Sequence, residues 1–94
     1  MSSSTKKLVV LDVRTPEEFG ESHVKSSINI DFLASTFSEE VSKLDKNQSY
    51  KLYCRSGNRS GNATVVMKDL GFTDVENLGT LDEAATTLKM PYEK

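Results

Sequence analysis

Short apolar runs recur along the chain and predict the strands of a sheet. LVVLDV at residues 8–13 is nearly continuous in apolar side chains, which is typical of a strand buried on both faces in a parallel sheet. Three shorter segments favour further strands: SSINID at 26–31, YKLYC at 50–54 and DVEN at 74–77. The pattern therefore predicts four strands distributed along the whole chain.

A capping pattern predicts a short helix directly after the first strand. In TPEEF at 15–19, Thr15 suits the N-cap, Pro16 suits the first helical position, and Glu18 suits the carboxylate position of a capping box. We expect Gly20 to limit this helix.

Two further helices are predicted by apolar residues at helical spacing. One covers residues 37–44, with Ser38 as its cap. The other runs from about residue 60 to residue 70. Gly71 suits the position after its last turn, and Phe72 can supply the hydrophobic contact that often accompanies such an ending.

A second capping box, TLDE at 80–83, begins a helix that we expect to continue to about Leu88, and Pro91 discourages its extension. Strands thus alternate with helices. This order indicates an α/β fold, a mainly parallel sheet flanked by helices on both faces and joined by right-handed crossovers. We expect residues 1–94 to form one domain, with residues 1–7 as a flexible tail.

Composition and charge narrow the classes of function. The net charge of −2 gives no electrostatic reason to expect nucleic-acid binding. No stretch approaches the roughly 18 apolar residues of a membrane span, and no surface pattern argues for a dimer, so we expect a monomer off the membrane. The polar start, MSSSTKK, has no apolar signal core. We expect a cytoplasmic protein as the sequence is written, and a periplasmic one if this is a processed mature form.

Cys54 is the only cysteine, so neither an internal disulfide nor a thiolate-rich zinc site can form, and we expect no metal or other cofactor. It lies at the carboxyl end of the third predicted strand, where α/β sheets place their ligand sites. The next segment, RSGNRS at 55–60, can curl its main-chain N–H groups around an anion at the start of a helix. Such amides and nearby guanidinium groups would lower the pKa of the thiol and make it a nucleophile.

A lone cysteine at a strand end is usually a small buried hydrophobe. A cysteine that only packs in the core does not require neighbouring arginines or a glycine-containing loop, and this chain has both, in Arg55, Arg59 and the segment between them. We therefore favour a thiol that acts on an anionic group or carries one. Four residues separate Cys54 from Arg59, one fewer than in tyrosine-phosphatase-like and arsenate-reductase-like sites. The shorter loop should suit a persulfide sulfur better than a phosphoryl group.

Four segments carry a family resemblance: LDVRTPEEF at 11–19, HVKSSINI at 23–30, YCRSGNRSG at 53–61 and LGFTDVENLGT at 70–80. In this order, and over nearly the whole chain, they resemble the rhodanese (thiosulfate sulfurtransferase) homology domain, most of all its small single-domain phage-shock-protein E type. The resemblance implies a mainly parallel sheet of four to five strands. It also implies that the Cys54 thiolate takes the outer sulfur of thiosulfate, releases sulfite, and passes the sulfur to cyanide or a thiol.

The resemblance further implies roles for individual residues. The substrate-binding set would be Arg55, Ser56, Gly57, Asn58, Arg59 and Ser60, whose amides hold the outer sulfur. The two arginines would attract thiosulfate and stabilise the departing sulfite. Asp12 and Arg14 match the family's DVR phrase. We favour a structural ion pair beneath the loop over a part in setting the charge of the pocket.

Other polar residues are interpreted as structural. His23 matches a family position that is mostly structural, and sulfur transfer needs no proton from it if Cys54 is already ionised. Glu17 and Glu18 are interpreted as a cap and a solvated face. Tyr53 is expected to serve packing.

Three departures from the family's usual pattern lie outside the cysteine loop. Ser26 and Ser27 replace a common glycine-alanine pair, Thr80 replaces a second glycine after Gly79, and a tryptophan that many members carry after that site is absent. We expect these changes to affect the pocket wall and the substrate preference more than the type of reaction.

Two hypotheses for function therefore stand side by side. The first is a thiosulfate:cyanide sulfurtransferase. The second is a persulfide carrier that receives sulfur from a donor protein and passes it to a partner, such as a thioredoxin-like protein. A phosphatase or arsenate reductase is disfavoured by the short loop.

Overall fold

The computed structural model describes residues 7–94, in which strands alternate with helices except where two short strands follow each other. The elements in chain order are β1 (Leu8–Asp12), α1 (Pro16–Glu21), β2 (His23–Val24), β3 (Ile28–Asn29), α2 (Phe37–Ser42), β4 (Ser49–Cys54), α3 (Asn58–Asp69), β5 (Val75–Thr80), α4 (Leu81–Leu88) and β6 (Tyr92–Glu93).

Among the described residues, the central sheet has four strands in the order β3-β1-β4-β5, and every pairing between them is parallel. The predicted α/β class with a parallel sheet is therefore confirmed. β2 and β6 form a separate antiparallel pair that the sequence pattern did not predict. Each of them has two residues, which is too few for any periodicity to be visible.

Side chains that alternate along the strands divide the core between the two faces of the sheet. Leu11 and Leu52 belong to the buried cluster that contains residues of α2 and α3. Val10 and Tyr53, their neighbours in sequence, belong to a second cluster with Ala84 of α4. The helices therefore cover both faces, as predicted.

Several boundaries differ from the predicted ones. The first helix includes Gly20 and ends one residue later, because the Ser22 amide still donates to the Glu18 carbonyl (3.4 Å). The cap predicted at Ser38 was wrong: Ser38 lies inside α2, and Thr36 occupies the cap position. The Thr36 hydroxyl donates to the Glu40 carboxylate (2.7 Å) and caps no amide.

The ends of α3 and β5 also differ from prediction. The helix begins at Asn58, two residues before the predicted start, and the strand continues to Thr80. The predicted end of α3 is confirmed: Gly71 has a left-handed φ of 105°, and the Phe72 amide donates to the Met67 carbonyl (3.1 Å). Phe72 is buried in the core next to this ending.

The predicted tail lies outside the described residues except for Lys7. The Lys7 amide donates to the Gln48 side chain (2.5 Å), and its carbonyl accepts from the Ser49 amide (2.9 Å). Within residues 7–94, no helix has the length and apolar character required to cross a membrane.

Candidate active site

Cys54 ends the central strand β4, and its side chain has no exposed surface. The chain then turns sharply through Gly57, whose φ of 92° is left-handed and suits glycine, and α3 begins at the next residue. The Cys54 Sγ accepts hydrogen bonds from the Gly57 amide (2.9 Å) and the Ser60 amide (3.4 Å), and the Ser60 hydroxyl lies within hydrogen-bond distance of it (3.3 Å). Because Gly57 has no side chain, the sulfur provides the N-terminal cap of α3.

This arrangement favours the ionised form of the sulfur. Burial opposes ionisation, but hydrogen bonds from the Ser60 hydroxyl and from the Ser60, Ser56 and Gly57 amides outweigh it, so the pKa of the Cys54 thiol lies below its ordinary value. The first turn of α3 adds the positive end of its dipole. The Cys54 thiolate therefore has the environment that makes a cysteine nucleophilic.

Positive φ angles explain two glycines at the place where the Cys54 loop meets the end of β5. A Cβ on Gly57 would lie 3.5 Å from the Gly79 Cα, and both residues have positive φ angles. A Cβ on Gly79 would also lie 2.3 Å from the Glu83 carboxylate. A contact of 3.5 Å is an ordinary van der Waals distance, so the positive φ angles at both positions, and at Gly79 also the Glu83 carboxylate, disfavour a side chain.

The two arginines that follow Cys54, one in the loop and one in the first turn of α3, have different surroundings. Arg59 forms a bidentate ion pair with Glu18 of α1, with Nη1 3.0 Å from Oε1 and Nη2 3.2 Å from Oε2. Arg55 is exposed and makes no ion pair within residues 7–94. Glu18 is thus a residue of this site that the sequence analysis had placed only in a cap and a solvated face.

The ion pair changes the titration of both partners. The Arg59 hydrogen bonds, helped by the Thr15 amide and opposed by partial burial, lower the pKa of Glu18 to about 2. The hydrogen bonds to Glu18, and further its charge and that of Cys54, raise the pKa of Arg59. Glu18 also completes the predicted capping box, since it accepts from the Thr15 amide (3.0 Å).

Asp12 and Arg14 form a buried ion pair at the end of β1. Nε of Arg14 lies 3.0 Å from each Asp12 carboxylate oxygen, and Nη2 lies 2.7 Å from Oδ2. Nη2 also donates to the Ser22 carbonyl (2.5 Å), and the guanidinium carbon lies 5.6 Å from the centre of the Tyr53 ring. Burial works against the charge of Arg14, but Asp12 more than offsets it and the pKa of Arg14 is raised. The predicted ion pair is thus present, and its role as a structural anchor stays a prediction, since Arg14 also lines the cavity beside the loop.

A cavity of about 330 Å³ opens beside the loop, at the carboxyl ends of β1, β4 and β5. Its walls carry charges of both signs. The lining residues are Arg14, Glu18, Glu21, Arg55, Thr80, Leu81 and Asp82. Cys54 lies behind this wall, one residue before Arg55 and in register with Thr80.

His23 makes its contacts away from the sulfur. Its ring stacks on Phe19, with centroids 3.7 Å apart, and Nδ1 lies 2.8 Å from the Phe19 carbonyl oxygen. Nε2 lies 3.5 Å from a Glu93 carboxylate oxygen. The Tyr53 hydroxyl accepts from the Val24 amide (3.0 Å), and burial raises the pKa of Tyr53 to about 12. Both side chains hold β2 against the rest of the fold.

The departures from the usual family pattern have local structural roles. Ser26 adopts a left-handed φ of 69°, a conformation that glycine adopts without strain. The Ser27 hydroxyl lies 3.3 Å from that of Tyr53. Thr80 caps α4 by accepting from the Glu83 amide (3.1 Å), which a second glycine could not do.

Asn77 is a further site residue that the sequence analysis missed. It lies on β5, and its side chain contacts Ser60, Gly57 and Gly79. The one signal available was its place near the carboxyl end of a parallel strand. No group of three or more His, Cys, Asp or Glu side chains within residues 7–94 is arranged to hold a metal ion.

The profile of a protein family described as the rhodanese-like domain matches residues 2–80. The chain therefore belongs to the rhodanese-like family, and the predicted family is confirmed. It is 37% identical over 75 residues to the thiosulfate sulfurtransferase PspE of Escherichia coli, a match that covers 80% of this chain and 72% of that protein.

Two other similarities extend the comparison. A solved structure described as a rhodanese with anions from E. coli superposes with a TM-score of 0.78 and 35% identity, over 94% of this chain and 99% of that one. The putative sulfur carrier protein YrkF of Bacillus subtilis is 32% identical over 75 residues, which cover 80% of this chain and 40% of YrkF. The chain is thus similar both to a protein described as a transferase and to one described as a putative carrier.

Proposed function

We propose that the protein is a thiosulfate sulfurtransferase that moves the outer sulfur of thiosulfate to cyanide or a thiol through a persulfide on Cys54. The observation that carries this proposal is the convergence of two amide donors, those of Gly57 and Ser60, on the Cys54 sulfur, with the Ser60 hydroxyl within hydrogen-bond distance beside them. Membership of the rhodanese-like family and the similarity to PspE support a rhodanese-type sulfurtransferase.

The first half of the reaction forms the persulfide. The Cys54 thiolate attacks the outer sulfur of thiosulfate and a new S–S bond forms. The S–S bond of thiosulfate breaks, and its electron pair leaves with sulfite. The amides of Gly57 and Ser60, with the positive end of α3, hold the negative charge before and after this step.

The second half returns the enzyme to its starting state. Cyanide or a thiolate attacks the outer sulfur of the persulfide, the bond between that sulfur and Sγ breaks, and Sγ keeps the electron pair. Thiocyanate or a new persulfide leaves, and Cys54 is again a thiolate. No proton need be taken from His23, whose ring is held by Phe19 and Glu93.

The two arginines contribute differently to the binding of the thiosulfate dianion. Arg55 is exposed beside the cavity and is free to meet incoming thiosulfate, whereas Arg59 is held by Glu18 and acts on the charge near the sulfur. Because the Cys54 side chain has no exposed surface, the substrate reaches it when residues 55–57 shift. These three residues are exposed or half-buried.

Intact-mass measurement tests the proposal most directly. Incubation with thiosulfate should add one sulfur atom to the protein, and later addition of cyanide should remove it and produce thiocyanate. Cys54→Ser, and wild type first alkylated at its single thiol, should show neither change. The proposal is contradicted if wild type gains no sulfur atom, or if Cys54→Ser or the alkylated protein still gains one. Cys54-dependent hydrolysis of an aryl phosphate would point to a phosphatase instead.

A sulfur carrier is the second candidate, and the similarity to YrkF favours it. The chemistry at Cys54 would be the same, but the sulfur would come from a protein persulfide. A wild-type protein that gains sulfur from a persulfidated donor protein, but not from free thiosulfate, would be a carrier.

A further inference from the structure

Asn77 ties three parts of the site together through one amide group. Its Oδ1 accepts from the Ser60 hydroxyl (2.6 Å) and from the Gly79 amide (2.9 Å), and its Nδ2 donates to the Gly57 carbonyl (3.3 Å). The main-chain partners fix the orientation of the group. The Gly79 N–H can only donate and the Gly57 carbonyl can only accept, so a flipped amide would place like groups against each other at both positions.

The Ser60 hydroxyl has one hydrogen and several acceptors around it. The Asn77 Oδ1 is closest at 2.6 Å, while the Cys54 Sγ and the Gly57 carbonyl are each 3.3 Å away. Because Oδ1 has no hydrogen to give, Ser60 must donate for this short contact to be a hydrogen bond. Each orientation of the hydroxyl that serves the sulfur therefore leaves two oxygen lone pairs facing each other beside Asn77.

We propose that Asn77 is a positioning residue of the Cys54 site, which acts by competing with the sulfur for the single hydroxyl hydrogen of Ser60. The inference rests on the proposed function, since it concerns the thiolate that begins sulfur transfer. A neutral Cys54 can donate its S–H to the Ser60 oxygen while Ser60 donates to Asn77. When the thiol ionises, Ser60 must turn its hydrogen to the sulfur and give up its bond to Asn77. Asn77 thus limits how strongly the thiolate is stabilised and keeps its electron pair available for attack.

The Asn77→Ala and Ser60→Ala variants leave every charged group around the loop unchanged, so a shift in the midpoint cannot come from a change in these charges. The charged groups lie on the loop itself, on α1 and α3, at and after the end of β1, and on α4. These groups are Arg55, Arg59, Glu18, Asp12, Arg14, Asp82 and Glu83.

The test measures the rate of alkylation of Cys54 by iodoacetamide against pH. Asn77→Ala should lower the midpoint of this profile by about half to one pH unit, because Ser60 then loses its nearest acceptor. The Gly57 and Gly79 carbonyls, 3.3 and 3.5 Å from the hydroxyl, remain as more distant acceptors beside the sulfur. Ser60→Ala should raise the midpoint. The double variant should match Ser60→Ala, since Asn77 acts through the hydroxyl. Asn62→Ala, an exposed asparagine of α3, is the matched control and should leave the profile unchanged.

Three results would overturn the proposal: a midpoint that rises in Asn77→Ala, one that does not move, or a shift of equal size when Ser60 is already alanine. If Asn77→Ala does not fold, Asn77→Asp keeps an acceptor for Ser60 and Gly79. Asn77→Asp should then raise the midpoint more in the protein that has Ser60 than in the Ser60→Ala variant. Equal shifts in the two proteins would contradict a competition for the Ser60 hydrogen. Alkylation needs no thiosulfate, so this result is separate from sulfur loading, on which the proposed function depends.

Discussion

Arg59 and Glu18 meet in a bidentate ion pair that spans 41 residues of sequence, with N–O distances of 3.0 and 3.2 Å. Glu18 also completes the capping box of α1, so one carboxylate joins the first helix to the first turn of α3. The pair balances the charge of the arginine next to the sulfur. Its consequences for substrate binding and for stability can be measured separately.

Removing the charge of Glu18 should strengthen the binding of thiosulfate. Glu18→Gln retains a residue that suits a capping box but no longer offsets Arg59, so the site becomes more positive toward a dianion. We expect the KM for thiosulfate to fall about two- to fivefold. Glu17→Gln removes a neighbouring exposed carboxylate of the same helix and should change KM less. A KM that rises in Glu18→Gln would mean that Glu18 holds Arg59 in a position that substrate binding requires.

The ion pair between Glu18 and Arg59 should make the free energy of unfolding depend on pH over the range in which Glu18 titrates. The pKa of Glu18 is lowered from 4.5 to about 2 in the folded protein, so its contribution is complete above the unfolded pKa and is lost as the pH falls toward 2. We expect wild type to exceed Glu18→Gln by about 1 kcal/mol in free energy of unfolding at neutral pH. Urea denaturation at a series of pH values should show this difference shrink below about pH 4.5. A difference that does not change with acidity would exclude the ion pair as its source.

The parts of this site that are encoded locally could be predicted from the sequence. A strand end, a glycine and the start of a helix lie within a few residues of Cys54, so their geometry depends on neighbours along the chain. Glu18 and Asn77 could not be predicted in this way. Their partners lie 41 and 17 residues away, and the contacts exist because the sheet places β1, β4 and β5 side by side.

Ser26 should be a position where glycine improves stability. Its φ of 69° is costly for any residue with a Cβ, while glycine adopts it freely but loses more entropy on folding. The balance predicts that Ser26→Gly raises the free energy of unfolding by about 0.5–1 kcal/mol. Ser26→Ala removes the hydroxyl but keeps the strain, and therefore separates the two effects. If alanine stabilises as much as glycine does in thermal or urea denaturation, the backbone is not the cause.

Arg55 and Arg59 should differ in what their loss does. Arg55 is exposed beside the cavity, so Arg55→Ala removes a charged partner of thiosulfate and should reduce kcat/KM for sulfur loading about tenfold. Arg59 is already paired, so Arg59→Ala should reduce kcat/KM less. It should also lower the free energy of unfolding by about 1 kcal/mol, because Glu18 loses its partner.

Arg55→Lys is the control, since it keeps the charge without the planar guanidinium group, and its kcat/KM should lie between those of wild type and Arg55→Ala. Loading kinetics and urea denaturation of the same three variants provide both measurements. A larger kinetic loss in Arg59→Ala than in Arg55→Ala would contradict this assignment and would give Arg59 the larger part in sulfur loading.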